Sequence, residues 1–574
     1  MASSIGDRQP SWRADPLRAA LDYAVTAHKR AAAILIAAAL ISFIPGLFQI
    51  PAVDRDEARF AQATKQMLES GEFVDIRFQD EVRYKKPVGI YWLQVGAVKL
   101  GSALGVRNPT TTIALYRLPS LIGAIGAVLL TYWAALAFVS RRAALMAGLM
   151  IATSILLGVE ARLAKTDAML LLTIVAAMGA MARAYLSDAR ASPHGNLSAW
   201  GLPAIFWTAL AGGILLKGPV ILMFVGLPTI ALAIVDRSVR WFKVLRPLPG
   251  VIWMLTLVLP WFVAILSRAG GTFIVDSAGQ DLFAKIFSGQ EGHGAPPGYY
   301  FVLFWATFWP GATLAGLAAP AVWASRHEKG ARFLLAWIVP SWIVFELVIT
   351  KLPHYVLPLY PAIAILIAGV VDPHVLSRQR WLVRSTAWWF VVPAIAGVGA
   401  IAVLMIVGRQ LGLLAWPFAA GAAILGLYAW RLYDIEGGER SLLRAMAASL
   451  LISIAIYGVV IPSLTAAFPS RVLARVLRDV NCPDPIAAAA GYHEPSLVFL
   501  LGTPTRLTDG PGAADFLRLG GCRLALIESR HERAFLRRAE AIGLRYAQEP
   551  RVDGFNISNG RRISIAVYRS EVTR

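Results

Sequence analysis

Charge is scarce in this chain. Asp, Glu, Lys and Arg together make up 16% of its 574 residues, against about a quarter in soluble domains. Acidic residues are the scarcer kind, 35 against 55 basic ones. Only two cysteines occur, Cys482 and Cys522, which leaves room for one disulfide at most. Tandem repeats are missing, and the two halves of the apolar region do not resemble each other. That weighs against the secondary transporters, which are commonly built from internal repeats. No cleavable signal peptide is expected, and the first apolar run reads as an uncleaved span. A polar, basic stretch of about 30 residues leads into an apolar run over 31–50 that has full spanning length and no small-x-small site.

What the chain has instead is apolar sequence. Hydrophobic residues reach 57%, and runs of about 20 of them, enough to cross a bilayer, recur almost to residue 466. Such runs must be helices, because lipid satisfies no backbone polar group. The net charge of +20 does not mark a nucleic-acid binder, because it is gathered in short connectors. These are Arg141-Arg142, Arg237/Arg240/Lys243/Arg246, Arg326/Lys329/Arg332 and Arg378/Arg380/Arg384, an alternation that follows the positive-inside rule.

That rule predicts thirteen spans, near 31–50, 113–139, 143–160, 168–186, 201–216, 219–235, 249–266, 299–322, 333–349, 355–371, 386–406, 411–430 and 446–466. The N-terminal tail, 1–30, is then cytoplasmic and 31–466 is the membrane domain, with a long outer loop over 51–112. Residues 467–574 change character. Patterning predicts helices at 471–480, 513–519 and 532–542 and strands at 522–528 and 562–569. This reads as a small α/β domain outside the cytoplasm, where its two cysteines are expected to pair; two buried thiols are the alternative.

Charged residues that break the positive-inside trend lie in the outer turns: Arg162, Lys165, Lys217 and Lys351. An anionic ligand would account for them, and headgroup anchoring is the competing reading. The first outer loop opens with Asp54-Arg55-Asp56-Glu57-Ala58-Arg59 and later carries Arg83-Tyr84-Lys85-Lys86-Pro87. Ionisable groups this close to hydrocarbon are expensive and usually functional. Asp56-Glu57 would also suit the start of a helix over 58–68, and Asp167 an N-cap with Thr166. Residues 88–104 read as an interfacial amphipathic helix.

Taken in order, Asp56-Glu57-x-Arg59, Lys86-Pro87, Arg162-x-x-x-Thr166-Asp167, Lys217-Gly218-Pro219, Lys351-Leu352-Pro353-His354-Tyr355 and Gly491-Tyr492-His493-Glu494 form a set. The set resembles the bacterial branch of the dolichyl-phosphate-mannose–protein mannosyltransferase superfamily, the lipid A aminoarabinose transferases most of all. The resemblance implies a polytopic helical membrane protein of the type C glycosyltransferase fold. It implies transfer of a sugar from a polyprenyl-phosphate donor to lipid A or core lipopolysaccharide on the periplasmic face of the inner membrane, with inversion. A protein acceptor, as in the mannosyltransferases, and a lipid or polysaccharide transporter are the alternatives.

By matching position, Asp56 and Asp167 are the expected catalytic carboxylates. Lys86, Lys351 and Tyr355 would hold the donor phosphate, and Arg59, Arg162 and Lys217 the acceptor. Glu57, Tyr84, His293 and His354 are further candidates. Expected partners are the donor lipid, the lipid or protein acceptor and membrane lipids. No cofactor is implied with certainty. Superfamily members with a metal place an acid just before the Lys-Pro pair, where this chain has Lys85, and that substitution argues against a divalent ion.

Overall fold

The computed structural model describes residues 16–187, 198–274, 294–480 and 482–571. Each of the thirteen apolar runs contains helix, as the unpaired-backbone argument requires. In chain order these helices are α1 (His28–Phe43), α4 (Ile113–Ala135), α5 (Arg141–Ala152), α6 (Ile155–Glu160), α7 (Asp167–Leu186), α8 (Ser198–Lys217), α9 (Val220–Asp236) and α10 (Pro247–Ala269). They continue with α11 (Tyr299–Thr307), α12 (Ala312–Ala324), α13 (Lys329–Leu347), α14 (Tyr360–Val371), α15 (Trp388–Ile406), α16 (Trp416–Arg431) and α17 (Tyr433–Ser453).

Among the described residues, eight helices are long and apolar enough to cross a membrane, or nine if α11 and α12 count as one span bent by 116°. The protein is a multi-pass membrane protein. Besides that bent pair, two more of the expected spans are interrupted. The run over 143–160 breaks at Thr153-Ser154, dividing α5 from α6, and the last span passes from α17 into a π-helical stretch over Ile454–Val460.

Between α1 and α4 the chain builds α2 (Asp56–Ser70), a two-stranded hairpin (β1, Arg77–Phe78; β2, Glu81–Val82) and α3 (Gly89–Ala103). One glycine lets this layer sit close to the spans, and another lets two spans approach each other. A Cβ on Gly89 would stand 2.7 Å from the Leu215 carbonyl of α8, and one on Gly123 of α4 would stand 2.8 Å from the Met169 nitrogen of α7. Both contacts are closer than real Cβ atoms approach, so the approach of these elements requires glycine.

The C-terminal part is a five-stranded sheet in the order β4-β3-β5-β7-β6, with β3 (Ile486–Ala490), β4 (Arg506–Thr508), β5 (Arg523–Glu528), β6 (Tyr546–Asn556) and β7 (Arg561–Ser570). The β3 pairings are parallel, and β5–β7–β6 are antiparallel. Helices α18 (Pro469–Asp479), α19 (Pro495–Leu501), α20 (Gly510–Arg518) and α21 (Ser529–Ala541) cover it, and both faces bury apolar side chains. Cys482 and Cys522 form a disulfide across a 5.7 Å Cα separation, as expected. Strands β3, β4 and β6 and the short helix α19 were not anticipated from the sequence.

This sheet domain rests on α2. Lys65 donates to the Phe499 carbonyl at 3.0 Å, Gln62 to the Thr503 hydroxyl at 2.8 Å, and Thr503 to Glu69 at 2.6 Å. Phe499 packs edge-on against Tyr116 of α4 with ring centroids 5.3 Å apart.

Candidate functional site

The turn over 161–166, between α6 and α7, is held from below and from the side. The Ser120 hydroxyl donates to the Lys165 carbonyl at 3.0 Å, Gln94 of α3 donates to the Ala164 carbonyl at 3.2 Å, and the Ala164 N–H donates to Glu57 at 2.8 Å. The fixed turn places Glu160, Lys165 and Asp167 side by side. Lys217, at the end of α8, and His354, at the start of a 3-10 turn over Pro353–Leu359, complete the group.

Lys165 Nζ lies 2.9 Å from Glu160 Oε2 and 3.7 Å from Asp167 Oδ2, and Lys217 Nζ lies 2.5 Å from Asp167 Oδ1. His354 bridges the acids, with Nδ1 3.7 Å from Glu160 and Nε2 3.7 Å from Asp167. These five side chains are between 3% and 12% exposed. Unpaired charges at that burial would be prohibitive, and here two carboxylates face two ammonium groups. Burial alone draws the Lys165 ammonium down, but Glu160 and Asp167 overcome it and raise Lys165 above the usual lysine range.

Asp56, the first residue of α2, is exposed and within electrostatic reach of Lys165 and Tyr91. Lys86 is half-buried and within reach of His354. The Tyr355 ring lies under Lys217, 5.4 Å from its ammonium. Arg59, one turn along α2 from Asp56, is half-buried. The structure thus brings Asp56, Lys86, Asp167, Lys217, His354 and Tyr355 to one place on the face that carries α2 and α3.

Other expected residues have different jobs. Glu57 is buried in a two-pronged pair with Arg117 of α4, both contacts at 2.8 Å, and it also accepts the Val53 N–H at 2.8 Å. Arg117 itself donates to the carbonyls of Leu47, Ile50 and Pro51. Tyr84 donates to Asp75 at 2.8 Å, inside the loop.

Two expectations are corrected. Arg162, expected to hold the acceptor, donates instead to the carbonyls of Pro45, Gly158 and Ser42 and to the Ser453 hydroxyl, and it stacks on Tyr457. All three of its nitrogens are therefore engaged by the protein, tying the end of α1 to α6 and the π-helical stretch. Lys351, expected at the donor phosphate, turns back onto α13 and caps its carbonyls, Glu346 at 2.9 Å and Val348 at 2.5 Å. His293 lies outside the described residues.

Sequence reasoning placed Lys165 only among the outer cations that an anionic ligand would account for, and it missed Glu160 and Arg117 as site residues. The signal for Arg117 was present, since an arginine inside a predicted span needs a buried partner. Glu160, Asp167 and His354 offer ligand atoms within 4.8 Å of one another, a spacing that a metal ion can bridge. The same carboxylates, however, already contact Lys165 and Lys217, so an ion there would meet two ammonium groups. As arranged, the trio does not fit a metal, and the exposed Lys85 brings a further cation to the loop.

Residues 32–271 match the family model for dolichyl-phosphate-mannose-protein mannosyltransferase. Over that stretch, less than half of its length, the chain is similar to that family. Among curated relatives, an undecaprenyl phosphate-alpha-4-amino-4-deoxy-L-arabinose arabinosyl transferase of Enterobacter sp. (strain 638) is 28% identical over 57% of this chain. The match spans only 58% of that relative's length. The enzyme of the same name from Pseudomonas paraeruginosa is 27% identical over 77% of this chain and 76% of its own. The crystal structure of ArnT from Cupriavidus metallidurans bound to undecaprenyl phosphate superposes with a TM-score of 0.70, at 20% identity, over 93% of this chain and 97% of that one. The shared architecture is the type C glycosyltransferase fold.

Proposed function

We propose that the protein is a membrane glycosyltransferase that moves a sugar from a polyprenyl-phosphate donor to lipid A or core lipopolysaccharide. The reaction runs on the periplasmic face of the inner membrane with inversion at the anomeric carbon. The observation that carries this reading is the exposed Asp56 carboxylate standing beside a buried, lysine-rich layer. The relatives, undecaprenyl phosphate-alpha-4-amino-4-deoxy-L-arabinose arabinosyl transferases, supply the donor class.

In the proposed mechanism the acceptor oxygen attacks the anomeric carbon from the side opposite the phosphate. The new glycosidic C–O bond forms as the carbon–phosphate oxygen bond breaks, and polyprenyl phosphate leaves with that electron pair. Lys86 neutralises charge growing on the leaving phosphate. When the acceptor is a hydroxyl, Asp56 takes its proton. When it is a phosphate, no proton moves, and Arg59 and Lys217 position it. Asp167 acts on Lys217 and Lys165, with which it is paired, and Tyr355 supports Lys217 from the other side.

A transporter would need ionisable groups along a path through the span interiors; the charges of this cluster lie instead in one layer. The test is mass spectrometry of lipid A–core and of envelope proteins from cells expressing the wild type or Asp56→Asn. A sugar on lipid A–core that requires Asp56 supports the reading and gives the mass of the transferred unit. Loss of glycan from an envelope protein, with lipid A unchanged, moves the acceptor to protein. No difference in either pool overturns the reading.

A further inference from the structure

The segment just before Asp56 is gripped by the sheet domain. Arg55 is a non-glycine residue with φ 69° and ψ −116°, a conformation that side-chain-bearing residues rarely adopt and that surrounding contacts must impose. It is also the N-cap residue of α2, so its backbone angles set the direction in which Asp56 leaves the chain. Two contacts from the sheet domain impose them. The Ser496 N–H donates to Asp54 Oδ1 at 3.0 Å, and the Arg55 guanidinium donates to the Ser558 carbonyl at 2.5 Å, in the turn joining β6 to β7.

Those two anchor points are themselves tied together. Glu494, two residues before Ser496, accepts from Asn556 Nδ2 at 2.8 Å and from the Ser558 hydroxyl at 2.9 Å. On the far side of Asp56 the chain is fixed again, by the buried Glu57–Arg117 pair. Asp56 is thus an exposed residue held between two anchored neighbours, one bound to the membrane helices and the other to the sheet domain.

We propose that Asp54 and Arg55 are positioning residues, through which the C-terminal domain holds the Asp56 carboxylate at the angle that transfer requires. The inference rests on the glycosyltransferase reading. It gives the sheet domain a function in the reaction, although the domain contributes no group to the buried cluster among the described residues. A misplacement of about 1 Å at a reacting group costs on the order of a hundredfold in rate, so a loosened Arg55 should be visible in turnover while leaving donor binding alone.

The test is steady-state transfer by the full-length protein in detergent or nanodiscs, with kcat and donor KM read separately. Asp54→Ala and Arg55→Ala should each lower kcat roughly ten- to a hundredfold, with KM within twofold of wild type. Asp54→Asn keeps an oxygen that can accept from Ser496, so it should restore kcat to within threefold of wild type. The double variant Asp54→Ala/Arg55→Ala should lose little more than the worse single variant, because both release one device.

A kcat for Asp54→Ala within twofold of wild type would overturn the proposal. So would equal losses in Asp54→Ala and Asp54→Asn, or an effect confined to KM. If Asp54→Ala does not accumulate as folded protein, Asn556→Ala loosens the same grip from the sheet-domain side. It should then lower kcat severalfold, and an unchanged kcat would count against the proposal. A wild type that transfers no sugar defeats the functional reading instead, which keeps the two failures apart.

Discussion

The basic residues on the two faces of this protein are alike in type and opposite in environment. On one face Arg237, Arg240, Lys243, Arg378 and Arg380 are exposed. On the other, Arg117 and Arg162 are buried, the Lys165 and Lys217 side chains are only 11% exposed, and every one has protein partners. The exposed set needs no such compensation, because water and headgroups solvate it. Removing the buried set from water is expensive and is offset only by partners placed within hydrogen-bond range. Burial of charge therefore separates the face where chemistry can happen from the face that only sets orientation.

The contrast breaks most sharply at Asp56, the exposed acid on the buried-charge face. Asp56→Asn is nearly isosteric and should leave the fold intact while lowering transfer to a hydroxyl acceptor by roughly a hundred- to ten-thousandfold. Initial rates with matched amounts of folded protein check this. A variant with wild-type rates would remove Asp56 from the mechanism.

Lys217→Ala comes next. It leaves Asp167 facing only Lys165 and His354 in a buried site. Breaking a buried pair by removing one partner costs about 3–5 kcal/mol. We expect a lower thermal unfolding temperature together with lost activity, and the double variant Lys217→Ala/Asp167→Ala should recover part of the stability. A double variant less stable than the single one would show that the pair is not what holds the layer.

How much of this was legible beforehand follows the same division. The motif residues Asp56, Lys86, Asp167, Lys217 and Tyr355 could be named because their motifs occur in the order of the family they resemble. Their directions could not. Lys217 and Lys351 occupy similar outer turns, yet one meets Asp167 and the other caps α13, a difference set by backbone geometry at each turn. Arg117 was overlooked because its partner, Glu57, lies sixty positions away in sequence. In the sheet domain, β5 and β7 were recognised, but β3 is Ile486 followed by four alanines. A strand buried on both faces shows no alternation to find.

A smaller effect is expected at Asp54, where the two sides of the domain contact meet. Burial, with Glu494 adding to it, pushes the Asp54 carboxyl up from 3.8 to about 6, against hydrogen bonds from Ser496 that pull it down. For an acid whose pKa is higher in the folded state, the associated stability is complete below about pH 4. It is lost as pH rises through 6, and the difference amounts to about 3 kcal/mol. Asp54→Asn removes that titration while keeping the contact. It should be more stable than wild type at pH 7.5 and lose the advantage near pH 4, as unfolding midpoints across that range will show. Parallel pH profiles for the two proteins would mean that Asp54 is well hydrated in the folded state.

The smallest effect belongs to the exposed face, and it tests the comparison from the other side. Arg240 has neither a buried environment nor a carboxylate partner among the described residues, so its charge is balanced by solvent and lipid alone. Arg240→Gln should therefore change stability by less than about 0.5 kcal/mol and leave kcat and KM unaltered. Its orientation signal is shared with Arg237, Lys243 and Arg246 in the same connector, so losing one charge of four should not reverse the topology. A large loss of activity in Arg240→Gln would mean that the exposed basic face communicates with the buried layer through the length of the bundle. Charge burial would then no longer tell the two faces apart.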